Sequence, residues 1–222
     1  SHIPIELWPK AAAVGLFGLG YPEEFGGVKE GIDSWHLWIA NEELARIGVG
    51  GIPASLMVHG IGLPPVINWG SQALKEMVAP PVLAGEKHIA LGITEPGGGS
   101  DVAAIRTTAT RDGDDYLING QKLWITNGTR ADFITLAVRT GDDGYGGISL
   151  LVCPTDVKGY SVGRPIKKIG NKSSDTAELF FDNVRIPRRY LLGDENAGFY
   201  HIMTNFQGER LIAAIGCCAG ME

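Results

Sequence analysis

The sequence predicts an α+β chain: an N-terminal helical domain, a central antiparallel β-barrel or sandwich domain, and the start of a C-terminal helical domain. Three observations carry this. Over the first 86 residues, apolar side chains recur at helical spacing between cap residues and glycines. From Lys87 the period drops to two, in short runs separated by Gly, Asp and Asn turns with no helical stretch between them. Near Gly193 the helical period returns and runs to Glu222. The resulting division is 1–86, 87–193 and 194–222.

Residues 6–19 read as a short Ala-rich helix ending in glycines, and 22–31 as a loop. Asp33 and Ser34 offer N-cap oxygens to a helix reaching Arg46 and ended by Gly48. Its Trp35, Leu37, Trp38, Ile39, Leu44 and Ile47 cover more than one face, so burial on two sides is expected. A third helix is expected over 52–69, kinked or broken at Pro64-Pro65, where two backbone donors are missing. Ser71 begins a fourth, through Leu83.

The strands predicted next are 88–93, 106–111, 116–119, 121–126, 133–139, 148–153, 160–164 and 178–184. Asn119-Gly120 between two alternating runs is a hairpin signal. Alternation along 121–126 puts Trp124 and Thr126 on one face, Leu123 and Ile125 on the other. In the last segment Asn196 is the candidate N-cap, and Phe199, Ile202, Met203, Phe206 and Ala213 form one stripe. Arg210 falls within the stripe and Glu209 at its edge. Being consecutive, they do not face each other as an ion pair. A carboxylate bordering an apolar stripe is partly desolvated, which raises its pKa and makes it a candidate base.

The net charge of −6 argues against nucleic acid as a partner. No apolar run is long enough to span a membrane. The opening SHIPIELWPK lacks a basic and an apolar region, so no secretory signal or transit peptide is expected. Three cysteines, Cys153, Cys217 and Cys218, have no framework spacing and suit a reducing, cytoplasmic compartment. No His/Cys cluster has metal-ligand spacing, so no metal site is expected. Glycine supplies 32 of 222 residues, about twice ordinary usage, so many loops turn sharply or approach something closely. The run Pro96-Gly97-Gly98-Gly99 belongs to neither helix nor strand interior. Such a loop presents bare N–H groups, often to an anion, yet nothing after it matches a Walker loop or a dinucleotide fingerprint.

GITEPGGGSDVAA, beginning at Gly92, resembles the signature of the acyl-CoA dehydrogenase family, and NGQKLWITNG, beginning at Asn119, resembles that family's second flavin-contacting segment. The resemblance extends from Pro22-Glu23-Glu24-Phe25-Gly26-Gly27 to Glu209-Arg210. It implies FAD as cofactor and desaturation of an acyl-CoA thioester to the trans-2-enoyl-CoA. Electrons would pass to an electron-transfer flavoprotein, and the full-length protein would be a homodimer or homotetramer. A eukaryotic member would work in the mitochondrial matrix.

Matched by position, Leu91, Ile93, Thr94, Gly99, Ser100, Trp124, Ile125 and Thr126 would bind the flavin. Ser100, Ser174 (in KSSDT) and Arg210 would meet the acyl-CoA. Glu209 in GERLIAA would be the catalytic base, as in the long-chain and isovaleryl-type members. Other members place the base in the C-terminal helical domain, and Glu209 would then be only a neighbour of the site. On this resemblance the chain ends inside the first helix of that domain and is expected to hold FAD poorly and to be close to inactive alone. An acyl-CoA oxidase or flavin monooxygenase of the same fold, and a non-catalytic acyl-CoA-binding fragment, stay open as alternatives. Acyl chain length is not readable from the motifs.

Overall fold

The computed structural model describes residues 3–221. Six helices come first: α1 (Leu7–Ala13), α2 (Ser34–Ala45), α3 (Gly51–Leu56), α4 (His59–Gly62), α5 (Pro64–Trp69) and α6 (Gln72–Leu83). Helix α1 is shorter than expected, because Gly15 turns the chain at φ +82°. Asp33 caps α2 by accepting from the N–H of Trp35 at 2.9 Å and of His36 at 3.3 Å, and His36 Nδ1 accepts from Asp33 N–H. Ser71 caps α6 through Leu74 N–H.

Two expectations are corrected. The stretch 52–69 breaks at Pro64-Pro65, as expected, but also between Leu56 and His59, so it is three short helices, of which the prolines start α5. Proline suits the first turn, whose N–H groups have no intrahelical acceptor. Helix α2 is not buried on two sides: it holds no buried residue, and Trp35 is 65% exposed. Its apolar residues run round the helix while its packing is against the C-terminal helix α7 (Gly198–Ala219).

The strands are β1 (Ile89–Gly92), β2 (Thr108–Asp112), β3 (Asp115–Thr126), β4 (Phe133–Arg139), β5 (Ile148–Pro154), β6 (Tyr160–Val162), β7 (Thr176–Pro187) and β8 (Leu191–Leu192). They form one sheet in the order β6-β7-β3-β2-β4-β5-β8, with β1 beside β4. Most pairs are antiparallel, but β1 runs parallel to β4, in register Ile89 with Phe133, so the sheet is mixed. No α-helix interrupts it among the described residues.

The hairpin signal at Asn119-Gly120 is also corrected. The β2–β3 hairpin closes at Asp112–Asp115, where Gly113 has φ +62°. Asn119-Gly120 sits inside β3 opposite a bulge in β7, whose extra residue falls at Asp182-Asn183, with Asn183 at φ +51°. Gly120 has φ +146°, and a Cβ there would stand 2.7 Å from the Thr107 backbone, so this position needs glycine. Asn119 fixes the bulge by accepting from Asn183 N–H at 2.9 Å.

Strand β4 is buried on both faces, and alternation along it divides the core. Phe133 and Ala137 join Ile148, Leu150 and Val152 beneath the helices. Ile134, Leu136 and Val138 join Leu151, Ile118 and Leu179 inside the curled sheet. Helix α7 begins directly on β5: a Cβ on Gly198 would meet the Ser149 backbone at 2.6 Å. Ala197, not Asn196, is its N-cap residue. Asn196 has φ +70° and accepts from the Thr140 hydroxyl at 2.7 Å, which holds the loop to the sheet instead.

Candidate active site

The glycine loop is anchored from below by a buried ion pair. Leaving β1, the chain makes a tight turn in which Glu95 N–H donates to Gly98 O at 2.8 Å and Gly98 N–H returns to Glu95 O. The Glu95 carboxylate points inward. It accepts from Arg106 N–H at 2.6 Å, Thr107 N–H at 3.0 Å and Lys122 Nζ at 2.7 Å. Lys122 is fully buried and also donates to Ile93 O at 3.1 Å. Desolvation alone would raise the Glu95 carboxyl, but the Lys122 charge and the donated hydrogen bonds outweigh it and hold it below the usual range. Burial pulls the Lys122 ammonium down to about 8, against the pull of Glu95.

On that base the loop presents Gly99 and Ser100 outward, both exposed, and their N–H groups find no acceptor among the described residues. Gly99 lies against Thr94, whose Cγ2 would be 3.3 Å from a Cβ there. Thr94 O accepts from Leu123 N–H at 2.8 Å, which brings the loop alongside Trp124. The expected alternation fails here. A second bulge against β7, between Lys122 and Ile125, adds a residue, so Lys122 and Ile125 both turn inward. Trp124 is left in the left-handed region at φ +63°, 55% exposed.

Beyond Thr126, Asn127 at φ +59° clamps the strand end to α3. Its Nδ2 donates to Ser55 O at 2.7 Å, and the Ser55 hydroxyl donates to Asn127 Oδ1.

A cavity of about 950 Å³ opens among the helices. Leu19, Leu37, Met57, Ile61 and Ile67 supply apolar wall, and Glu209 of α7 reaches it together with Ile212 and Ala213. Desolvation pushes the Glu209 carboxyl up to about 7, partly opposed by Arg210. A carboxyl poised near neutrality at the mouth of an apolar cavity can exchange a proton with a bound carbon acid. His59, buried on the same wall, packs against Phe17 with ring centroids 4.5 Å apart and planes tilted by 46°, and burial lowers it to about 4. Its folded value lies below the unfolded one, so its stabilising contribution is present above about 6.5 and lost as pH falls toward 4. Stability should drop by about 3 kcal/mol over that window, and urea unfolding of His59→Gln should show a flatter pH dependence.

The structure thus places Gly99 on Thr94 and Thr94 beside the Leu123-Trp124 segment, with Ser100 exposed next in the loop. Thr126, partly buried, continues the same strand beside Thr176. Ile93 and Ile125 lie in the core, and Leu91, partly buried, packs against it. Thr94, Trp124 and Thr126 are not among the residues lining the Glu209 cavity. Ser174 is buried, with its hydroxyl on Asp175 O at 3.3 Å, and Asn171 takes the place at the cavity wall. Arg210 is exposed, its guanidinium 5.7 Å from the Phe206 ring centroid.

Sequence reasoning passed over Glu95, Lys122, Asn127 and Asp175. The last accepts from Thr129 N–H at 3.0 Å and pairs with Arg130 at 3.2 Å. A lysine at an inward strand position was the readable signal. Among the described residues, no group of three or more His, Cys, Asp or Glu side chains is placed to hold a metal ion, and no helix is long and apolar enough to cross a membrane.

Comparison with known proteins agrees with this architecture. Residues 1–86 match the family described as acyl-CoA dehydrogenase, N-terminal domain, and residues 90–184 match acyl-CoA dehydrogenase, middle domain. The chain is 40% identical over 217 residues to the mitochondrial long-chain specific acyl-CoA dehydrogenase of Sus scrofa, covering 96% of this chain and 50% of that protein. A probable acyl-CoA dehydrogenase from Mycobacterium abscessus superposes with a TM-score of 0.94 at 49% identity, covering 98% of this chain and 58% of that one. Butyryl-CoA dehydrogenase from Megasphaera elsdenii gives 0.92 at 31% identity, covering 98% and 58%. The chain spans about half the length of the curated relatives it matches. With helices, sheet and both signature segments in agreement, the chain belongs to the acyl-CoA dehydrogenase family, of which it carries the N-terminal and middle domains.

Proposed function

We propose that this protein works as an FAD-dependent acyl-CoA dehydrogenase, converting an acyl-CoA thioester to its trans-2-enoyl-CoA. The observation that carries the reading is Glu209: a carboxyl held near neutrality by burial, facing an apolar cavity large enough for an acyl chain. The α proton of a thioester is weakly acidic, so its removal needs a base whose basicity is raised and whose surroundings exclude water. Glu209 is that base, and the aliphatic walls take the acyl chain.

The other face fits a flavin. Trp124 offers an exposed indole that stacks on no other ring among the described residues, and the neighbouring Gly99 and Ser100 have free N–H groups. Trp124 would lie against the ring, with Thr94 and Thr126 hydrogen-bonding to it, and Ser100 would meet the pyrophosphate or the pantetheine. Leu91, Ile93 and Ile125 would contribute backbone. When bound, FAD supplies the acceptor for the β hydride. Ser174 and Arg210 belong to the CoA side of the reading only through their matched positions.

Delivery of electrons to an electron-transfer flavoprotein, homodimeric or homotetrameric assembly, and a cytoplasmic or mitochondrial-matrix location are parts of the same proposal. They are supported by the family resemblance. Anaerobic addition of acyl-CoA to the FAD-loaded full-length protein should bleach the flavin absorption, and flavin that stays oxidised with every acyl-CoA in a panel counts against it. Absence of peroxide during aerobic turnover distinguishes a dehydrogenase from an oxidase.

Trp124→Ala should raise the dissociation constant for FAD by about tenfold or more, on the scale of one lost stacking contact. The melting temperature of the flavin-free chain should barely fall, since the side chain is exposed and Trp124→Gly would even relieve the left-handed backbone. Equal losses in both measurements would assign Trp124 to the core.

A further inference from the structure

Pro64 and Pro65 have no N–H, so carbonyls three and four residues before them lose their backbone donors. Ile61 is one such residue, since its i+3 and i+4 neighbours are these prolines. The next carbonyl, of Gly62, accepts the Thr135 hydroxyl at 2.6 Å. That of Ile61 accepts Nδ2 of Asn205 on α7 at 3.3 Å. The same nitrogen donates to Oε1 of Glu209, one helical turn on, at 2.6 Å. We infer that Asn205 is the positioning residue of Glu209: the Ile61 carbonyl holds the amide, and the amide holds the carboxylate at the cavity and favours its charged form. This deepens the reading of Glu209 as the base and rests on it.

The geometry leaves the amide no choice of orientation. The Ile61 carbonyl can only accept, so the nitrogen faces it and Glu209 together, and its two hydrogens can serve one each. A neutral donor to a carboxylate is a charge-assisted bond that strengthens on ionisation, so it opposes the desolvation that raises Glu209. Arg210 on the same helix acts in the same sense. From the elements packed around the cavity, the facing titratable groups are Tyr21, Lys29 and His59, with Cys217 on α7 itself. Burial keeps His59 neutral and Tyr21 protonated at pH 7, so neither changes charge where Glu209 does. Pro64-Pro65 therefore does more than start α5. It frees the carbonyl that tethers the base.

The test is an isotope-edited infrared titration of the Glu209 carboxyl in this chain, with the band assigned by its loss in Glu209→Gln. Asn205→Ala removes the donor, and the near-isosteric Asn205→Asp replaces it with an acceptor should the alanine variant fail to fold. Each should move the midpoint upward by about one pH unit. Thr204→Ala, which removes an exposed hydroxyl bond within the same helix, should leave it in place. In the FAD-loaded protein, the pH profile of anaerobic flavin bleaching by acyl-CoA should shift with the Asn205 midpoint. An unmoved midpoint in the Asn205 variants overturns the positioning role. A midpoint that moves while Glu209→Gln still bleaches at the parent rate overturns the base assignment instead.

Discussion

Glu209→Gln is expected to slow anaerobic flavin reduction by acyl-CoA by about 10²–10⁴-fold, the usual worth of a positioned general base. Glutamine keeps the shape and can still accept from Asn205, but it cannot take the α proton. FAD and acyl-CoA binding should survive, because the cavity walls and the Trp124 face are untouched. In the parent the rate should rise with pH through about 7, where the Glu209 carboxyl loses its proton, and the variant should lose that limb.

Unfolding is excluded as the cause by the sign of the linkage. The folded value lies above the unfolded one, so stability from the protonated carboxyl is present at low pH and lost as pH rises through about 7. The glutamine variant, which never ionises, should be at least as stable as the parent at pH 8 in urea. Flavin reduction at the parent rate would place the base elsewhere.

The largest effect on stability is expected at Lys122. Lys122→Met fills the volume but leaves the Glu95 carboxylate, nearly as buried, without its counter-charge. Breaking one side of a buried pair costs about 3–5 kcal/mol, read as a fall in the urea midpoint. Two backbone N–H groups still hold Glu95, so the effect should sit toward the lower end. Glu95→Gln combined with Lys122→Met should recover part of the loss, because the uncompensated charge is gone. The local consequence is as telling. Glu95 closes the turn that presents Gly99 and Ser100, so the single variant should also loosen that loop to proteolysis. A cost below about 1 kcal/mol would mean the pair does not hold the loop.

The physical forces that act within a few residues were legible in the sequence. Asp33 and Ser71 announced their helices because a cap oxygen needs only the next turn. Strand β4 was readable at both ends, since a central strand buried on both faces is a continuous apolar run between turns. Helical phase put Glu209 at the edge of the apolar stripe, where it is half-buried, but the same phase put Arg210 and Ala213 within the stripe, and both are exposed.

What misled were signals whose meaning depends on distant partners. Gly120 supplies positive φ, which serves a strand beside a bulge in its neighbour as well as a turn, and only the registers with β2 and β7 decide between them. A second bulge at Lys122–Ile125 cancels the alternation used to place Trp124. The aromatic residues of α2 said nothing about what would cover them. In KSSDT, the hydroxyl of Ser174 drew notice, but the buried carboxylate of Asp175 makes the tertiary contacts. Lys122 was in phase with Tyr116 and Ile118, and that phase was the clue to the ion pair beneath the glycine loop.

The central claim is that the cavity at Glu209 receives the acyl chain with the α carbon at this carboxylate. The most direct measurement is a crystal structure of the FAD-loaded protein with a non-reacting acyl-CoA thioether analogue. The account predicts the acyl chain among Leu37, Met57 and Ile61, with the α carbon about 3 Å from a Glu209 carboxylate oxygen. An acyl chain lodged outside this cavity, with Glu209 turned away from the α carbon, would contradict it.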